Sequence, residues 1–178
     1  MDALYAAGGS DRVALYLNYE RQEESGVYVD GQTYLPATWV DANLNERFYW
    51  DANEEILVYA LPEEIVKSDE TTVDEDGKKI LYRDGDAVYL SLALIQKYTD
   101  VRLQAYDGEA QKRVFVENNW DPVTVADAAW SAKIRLRGGL KSPIVTEIKR
   151  GGTVTVLEQY DNWARVMTPD GHIGYMHK

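Results

Sequence analysis

The stretch that decides the fold is 133–177, KIRLRGGLKSPIVTEIKRGGTVTVLEQYDNWARVMTPDGHIGYMH. Runs in which apolar and polar residues alternate are separated by the turn signals Gly151-Gly152, Asp161-Asn162 and Pro169-Asp170-Gly171. Alternation with a period of two indicates strands, and no part of this stretch has the period of a helix. We therefore predict about five short strands that close into a small β-barrel.

Three features of this stretch resemble the bacterial SH3 family. They are a glycine before the alternating strand that starts at Thr153, the pattern Asn-Trp-x-x-Val over 162–166, and the pattern Gly-x-x-Gly-Tyr over 171–175. The resemblance implies an SH3-like barrel over residues 131–178. It also implies a non-catalytic binding module of the kind that is most often found on secreted proteins acting at the cell wall.

The first 118 residues contain an internal repeat. The segment from Asp30 to Leu35 is similar to the segment from Asp84 to Leu90, and the two Tyr-Leu pairs lie 55 residues apart. Each copy is followed by a helical pattern, at 36–44 and 91–98, and then by a hairpin pattern, at 47–60 and 101–116. A helix can cover the apolar face of a sheet, so we predict two hairpin-helix-hairpin units that share the core of one α+β domain.

This repeat resembles the copper amine oxidase N-terminal-like domain of exported Gram-positive proteins. The matching segments are Val29-Asp30-Gly31, Tyr34-Leu35-Pro36 and Phe48-Tyr49-Trp50-Asp51, and the strand pattern over 13–19 also fits the family. The second copy departs from the family pattern because Ser91 stands where the family prefers proline. Despite its name, the family implies neither copper nor amine oxidation.

These two resemblances predict a chain of three parts. An α+β domain covers residues 11–118, a short connector covers 119–130, and the barrel covers 131–178. Asn118-Asn119 and Asp121-Pro122 are typical of a break between domains. Trp120 and Trp130 are unusual in a linker, and we expect both rings to pack at the seam of the two domains.

Charge is distributed unevenly along the chain. Residues 119–178 hold six acidic and eight basic residues and so carry a net charge of +2. Because the whole chain carries −11, residues 1–118 carry −13. An acidic body argues against a nucleic-acid partner. No apolar run is long enough to span a membrane, and the absence of cysteine excludes a disulfide framework and a zinc-cysteine site.

The sequence offers little for catalysis or for a metal ion. The acidic run 69–77 echoes the start of a calcium loop but lacks the closing glutamate, and Asp76-Gly77 fits a hairpin turn better. His172 and His177 stand without a nucleophile in a convincing context. A hydrolase that uses acidic residues of the first domain is a weak alternative, because adjacent carboxylates on a strand point to opposite faces. We expect no enzyme activity, no cofactor and no metal.

The candidate ligand-binding residues lie in the barrel. They are Tyr160, Trp163 and Tyr175, together with Arg135 and Arg137. An aromatic groove suits peptide or sugar ligands, because flat rings provide a large contact area at a low entropic cost. The alternative is that Trp163 fills the core and that Tyr175 caps the end of a strand.

These features predict a non-catalytic fragment that binds peptidoglycan or another wall polymer, within a larger exported protein such as a glycoside hydrolase. The expected location is extracellular or associated with the cell wall. The start Met1-Asp2-Ala3 does not resemble a signal peptide, so an exported form would be a mature or trimmed one. The alternative function is a protein–protein module that docks onto a downstream catalytic domain of the same chain.

Overall fold

A computed structural model describes residues 11–178, and the start of the chain lies outside the described residues. Strands make up 51% of the structure, whereas the two helices have only seven residues each. The chain forms two compact units. One ends at Asn119 and the other begins at Trp120.

The first unit contains ten strands and two helices among residues 11–119. They are β1 (Arg12–Leu17), β2 (Glu20–Val29), β3 (Gln32–Pro36), α1 (Ala37–Asn43), β4 (Phe48–Asp51), β5 (Ile56–Ala60), β6 (Ile65–Ser68), β7 (Leu81–Asp84), β8 (Ala87–Ser91), α2 (Leu92–Tyr98), β9 (Arg102–Tyr106) and β10 (Arg113–Glu117).

Most of these strands form one seven-stranded sheet in the order β7-β8-β3-β2-β1-β10-β9. Its neighbouring strands are antiparallel except for β1 and β10, which run parallel with Leu15 opposite Val114. Both residues are fully buried in the core of the unit. The sheet therefore includes a pairing between two strands that lie about a hundred residues apart in the sequence.

The two helices begin where the sequence predicted them. Ser91 caps α2, because its Oγ accepts a hydrogen bond of 3.1 Å from the backbone N–H of Leu94. Pro36 precedes α1 without a side-chain cap. Each helix buries one face, and the buried residues are Trp39, Val40, Leu94 and Ile95. Both helices are thus held mainly by their apolar contacts with the sheet.

The hairpins that follow the two helices occupy different sheets. After α1, β4 and β5 pair with β6 in a separate three-stranded sheet, whereas after α2, β9 and β10 join the seven-stranded sheet. The predicted order of hairpin, helix and hairpin occurs at both places. Because the final hairpins have different partners, the duplication itself stays an interpretation of the sequence.

The second unit is a six-stranded antiparallel sheet in the order β11-β14-β15-β16-β12-β13. The strands are β11 (Thr124–Asp127), β12 (Ala132–Arg135), β13 (Ile144–Ile148), β14 (Thr153–Gln159), β15 (Trp163–Met167) and β16 (Ile173–His177). Its core is small and consists of Ile134, Val154, Ala164 and Val166. The five strands expected within 133–177 are all present.

One strand lies inside the stretch expected as a connector. β11 pairs with β14 from Thr124 opposite Val156 to Asp127 opposite Thr153. Trp120 and Trp130, which flank this strand, are 53% and 65% exposed, and their packing at a seam stays a prediction.

Neither described helix is long and apolar enough to cross a membrane.

Candidate binding face of the C-terminal unit

A row of charged and aromatic side chains crosses the outer face of the six-stranded sheet. Arg135 on β12 lies opposite Tyr175 on β16, and Tyr175 lies opposite Arg165 on β15. Arg165 in turn faces Glu158 on β14. Directly paired residues of adjacent strands point to the same side of a sheet. The pairing register therefore places two arginines, a tyrosine and a glutamate in one line.

A second pair lies on the same face, two residues further along the strands. Trp163 faces His177, and the two rings meet edge to face with their centroids 5.0 Å apart and their planes at 89°. Gly138 lies against the indole as well, because a Cβ at this glycine would be 3.4 Å from Cγ of Trp163. The indole thus lies outside the apolar core, between a histidine and the loop that joins β12 to β13.

Tyr160 extends this face at the turn between β14 and β15. Its hydroxyl donates a hydrogen bond of 2.6 Å to Oε2 of Glu158, and its ring centroid is 6.1 Å from that of Tyr175. The hydrogen bond to Glu158 is the main cause that raises the pKa of Tyr160 to about 12. The side chain is 48% exposed. Tyr160 is therefore held in place by a carboxylate while much of its surface remains open to solvent.

The two predicted arginines behave differently. Arg135 donates from Nη1 to the backbone oxygen of Ser142 at 2.8 Å, so its guanidinium holds the loop between β12 and β13. Arg137 is exposed. Its backbone N–H donates to the hydroxyl of Ser142 at 2.9 Å, and its backbone oxygen accepts from the N–H of Gly139 at 2.9 Å. It lies in this loop, one residue before Gly138. Arg135 thus orients the loop and Arg137 projects a charge from it.

The structure brings Arg135, Tyr175 and Tyr160 together directly and places Trp163 on the same face. Arg165, Glu158 and His177 belong to this face but were missed by sequence reasoning. Their signal was present, since Arg165 follows Trp163 and His177 follows Tyr175 at the two-residue spacing of one strand face. We call the set Arg135, Glu158, Tyr160, Trp163, Arg165, Tyr175 and His177 the binding face.

The other histidine belongs to a tight turn. Nδ1 of His172 lies 3.1 Å from Oδ2 of Asp170, and the hydroxyl of Thr168 donates to Oδ1 of the same carboxylate. Partial burial would raise the pKa of Asp170, but the hydrogen bonds from Thr168 and His172 outweigh it, and the pKa is lowered. The Thr168 hydroxyl meets the carboxylate and not the imidazole, so the geometry is that of a stabilised turn and not of a nucleophile beside its base.

The acidic run 69–77 also forms a turn. Val73 bridges to Lys79, and Oδ1 of Asp74 accepts backbone hydrogen bonds of 2.9 Å from both Asp76 and Lys78. Across residues 11–178, no three histidine, aspartate or glutamate side chains are grouped so that they could hold a metal ion.

Comparison with known proteins adds one family to this geometry. Residues 130–178 match the family model described as bacterial SH3 domain. A search of curated protein sequences finds no match for the chain. The match covers the five strands β12 to β16 and all residues of the binding face. Residues 130–178 of this chain are therefore similar to bacterial SH3 domains, which are non-catalytic binding modules.

Proposed function

We propose that the C-terminal domain, residues 131–178, binds bacterial cell-wall material, either peptidoglycan or another wall glycan, without chemical turnover. The observation that carries this proposal is the binding face, where three aromatic rings and two arginines share one side of a small sheet. Bacterial SH3 domains commonly bind cell-wall material. The residues proposed to contact the ligand are Tyr160, Trp163, Tyr175, Arg135 and Arg137.

The two kinds of side chain have different tasks in this proposal. Walls are rich in anionic groups, and exposed cations such as Arg137 accelerate the encounter with an anionic polymer. The rings then hold the ligand through contact area, because salt does not screen these contacts. Glu158 and His177 position Tyr160 and Trp163.

We further propose that residues 11–118 are a copper amine oxidase N-terminal-like domain made of two related units, with 119–130 as the connector. The pairing of β3 with β8 supports this. Leu35 lies opposite Leu90, and Tyr34 and Tyr89 flank this pair on their own strands. The two copies of the Tyr-Leu motif therefore meet antiparallel, as the halves of a duplicated unit do when a twofold axis relates them.

In this proposal the chain is a targeting part of a larger exported protein, located outside the cell or on the wall. Glycoside hydrolases are one class of enzyme that such a part would serve. Its task would be to raise the concentration of a catalytic domain at an insoluble polymer.

Cosedimentation of the full chain with purified sacculi tests the wall proposal. We expect saturable binding that Tyr160→Ala weakens, by about 1–3 kcal/mol if Tyr160 is a true contact. Tyr49→Ala is the matched control, because Tyr49 is an exposed tyrosine, 62% accessible, of the first unit. Circular dichroism verifies that both variants are folded.

Two outcomes would contradict the wall proposal. Loss of all binding at modest salt would leave only a charge effect, since ring contacts persist in salt. Failure to bind sacculi from several species would favour the alternative, in which the domain docks onto a catalytic domain of its own protein.

A further inference from the structure

A cavity in the first unit is lined by residues outside the stretch that matches the bacterial SH3 family. Its volume is about 450 Å³, within the range of roughly 300–1,000 Å³ that is usual for small-molecule sites. It lies between β2, the start of α1, β4 and the turn that precedes β8. Its lining includes Glu23, Glu24, Trp50, Asp86 and Tyr89.

A bulge in β2 places two of the carboxylates at this cavity. The pairing of β1 with β2 shifts between Ala14 and Tyr16, so that residues 22–24 have no regular partners. Bulges of this kind re-aim side chains and are common next to functional sites. Here the bulge brings the neighbouring residues Glu23 and Glu24 to one cavity, although adjacent residues of a regular strand point to opposite faces.

The bulge is fastened by side chains. The guanidinium of Arg21 donates to the backbone oxygens of Leu15 at 3.3 Å and Glu24 at 3.1 Å, and it also donates to the oxygen of Gln22. The side-chain oxygen of Gln22 accepts a hydrogen bond of 3.2 Å from the indole N–H of Trp39 in α1. The wall of the cavity is therefore held rigidly before any ligand arrives.

The charges around the cavity are unbalanced. Three carboxylates, those of Glu23, Glu24 and Asp86, line it together with one cation, Arg12. Among the described residues, none of the three carboxylates takes part in an ion pair or a side-chain hydrogen bond. The first part of the chain is also strongly acidic. The local potential therefore favours a positively charged ligand.

The aromatic residues of the cavity lining also suit a positively charged ligand. Trp50 and Tyr89 are partly buried and line the cavity. Outside the cavity lining, the guanidinium carbon of Arg83 lies 5.2 Å from the centroid of the Trp50 ring. The indole of Trp50 therefore already lies near one cationic side chain, because the negative face of an indole attracts cations.

We propose that this cavity binds a protonated primary amine on an apolar alkyl chain, the chemistry of a lysine side chain. The carboxylates of Glu23, Glu24 and Asp86 attract the ammonium group to the cavity, and the methylene groups lie along Trp50 and Tyr89. The proposal rests on the first unit alone and is independent of wall binding by the SH3 domain.

The probe is cadaverine, a five-carbon diamine, titrated into the full chain and followed by amide and indole NMR resonances. We expect saturable shifts confined to residues around the cavity. The neutral control is 1,5-pentanediol, which has the same chain length without the charge. Equal binding of the diol, or no saturable shift with cadaverine, would overturn the proposal.

Variants distinguish binding at this cavity from general attraction of a cation by the net negative charge of the unit. Glu24→Gln and Asp86→Asn should each weaken cadaverine binding about three- to fivefold, as expected for a partly solvated ion pair. Asp84→Asn is the matched control, since Asp84 is exposed on the same turn as Asp86 but does not line the cavity. Equal weakening by Asp84→Asn would reduce the effect to the net charge of the unit and refute the site. All three residues are exposed, so the variants should keep the melting temperature of the parent chain.

Discussion

Glu158 and Tyr160 illustrate how one side chain sets the properties of another at the binding face. Strand pairing places Glu158 beside Arg165, and the turn after β14 returns Tyr160 toward the same carboxylate. The phenol is therefore oriented by a charge-assisted hydrogen bond while its ring remains exposed. Such an ordered ring loses little rotational freedom when it contacts a ligand.

The Tyr160 hydrogen bond has a measurable signature. The phenol should titrate at about 12, above its usual value of 10.0, and Glu158→Gln should return it toward that value. Because the folded pKa is raised, the bond contributes stability below pH 10 and loses it as the pH rises toward 12. The titration is followed by absorbance of tyrosinate, as the difference between the parent chain and Tyr160→Phe. An unchanged titration in Glu158→Gln would contradict this assignment.

The turn around Asp170 should respond to acid. Its pKa is lowered in the folded chain, below the usual 3.8, so the carboxylate contributes stability above that pH. This contribution is lost as the pH falls below 3.8, and Asp170→Asn should remove that part of the pH dependence. The carboxylate is more than half exposed, so the effect should stay below about 1 kcal/mol. Thermal melts of both proteins between pH 3 and pH 7 check this. The same change of melting temperature with pH in the parent chain and in Asp170→Asn would refute it.

At the level of elements, close approach of strands explains the second glycine of the Gly-x-x-Gly-Tyr pattern. Gly174 lies on β16, which pairs with β12. A Cβ at this glycine would be 2.6 Å from Cγ2 of Ile134 and 2.7 Å from the backbone oxygen of Arg135. A backbone atom cannot move aside as a flexible side chain can. The glycine therefore allows the two strands to pair at a spacing that any larger residue would prevent.

Gly174→Ala should thus destabilise the SH3 domain by about 1–3 kcal/mol through overpacking. Gly139→Ala is the control, because a Cβ at Gly139 would meet nothing within 4 Å. The comparison uses denaturant unfolding of the two variants, followed by circular dichroism. Equal stability of the two variants would contradict the close approach of β12 and β16 at Gly174.

The cap of α2 offers a second test at this scale. Ser91→Ala leaves the N–H of Leu94 without its partner, in a residue that is fully buried, and should cost about 1 kcal/mol of stability. Thr38→Ala in α1 is the control, since Thr38 is exposed and α1 has no side-chain cap. Denaturant unfolding of the first unit measures both. A Ser91 variant as stable as the Thr38 variant would exclude the capping role.

At the scale of the whole molecule, the course of the chain between its two units matters for function. β11 lies before the stretch that matches the bacterial SH3 family, yet it covers the edge of β14 by four pairs of residues. An uncovered edge strand is a site for association with other chains. The segment 120–130 therefore contributes to the sheet of the second unit as well as joining the two units.

This arrangement predicts how fragments behave. Residues 120–178 should unfold cooperatively on their own, whereas residues 131–178 should be less stable and more prone to aggregate, because the edge of β14 is exposed. Thermal melts and amide NMR spectra of the two fragments compare them. A shorter fragment as stable and as soluble as the longer one would mean that β11 adds nothing to the sheet.

Much of the local structure was readable from the sequence. The alternation over 133–177 predicted β12 to β16, and the patterns over 36–44 and 91–98 predicted both helices, since strand and helix periods are properties of neighbouring residues. The pattern around Trp163 and Tyr175 likewise indicated the SH3 family before any contact was known.

What required the tertiary structure was every feature made by residues far apart in the chain. The parallel pairing of β1 with β10 joins segments about a hundred residues apart, and no local pattern specifies it. The line of Arg135, Tyr175 and Arg165 depends on the register of three strands, which a shift of one residue would turn to the opposite face. The cavity beside Trp50 depends on a bulge that the side chain of Arg21 holds in place. The sequence by itself therefore determined the elements, and the packing of those elements decided which side chains meet to form a site.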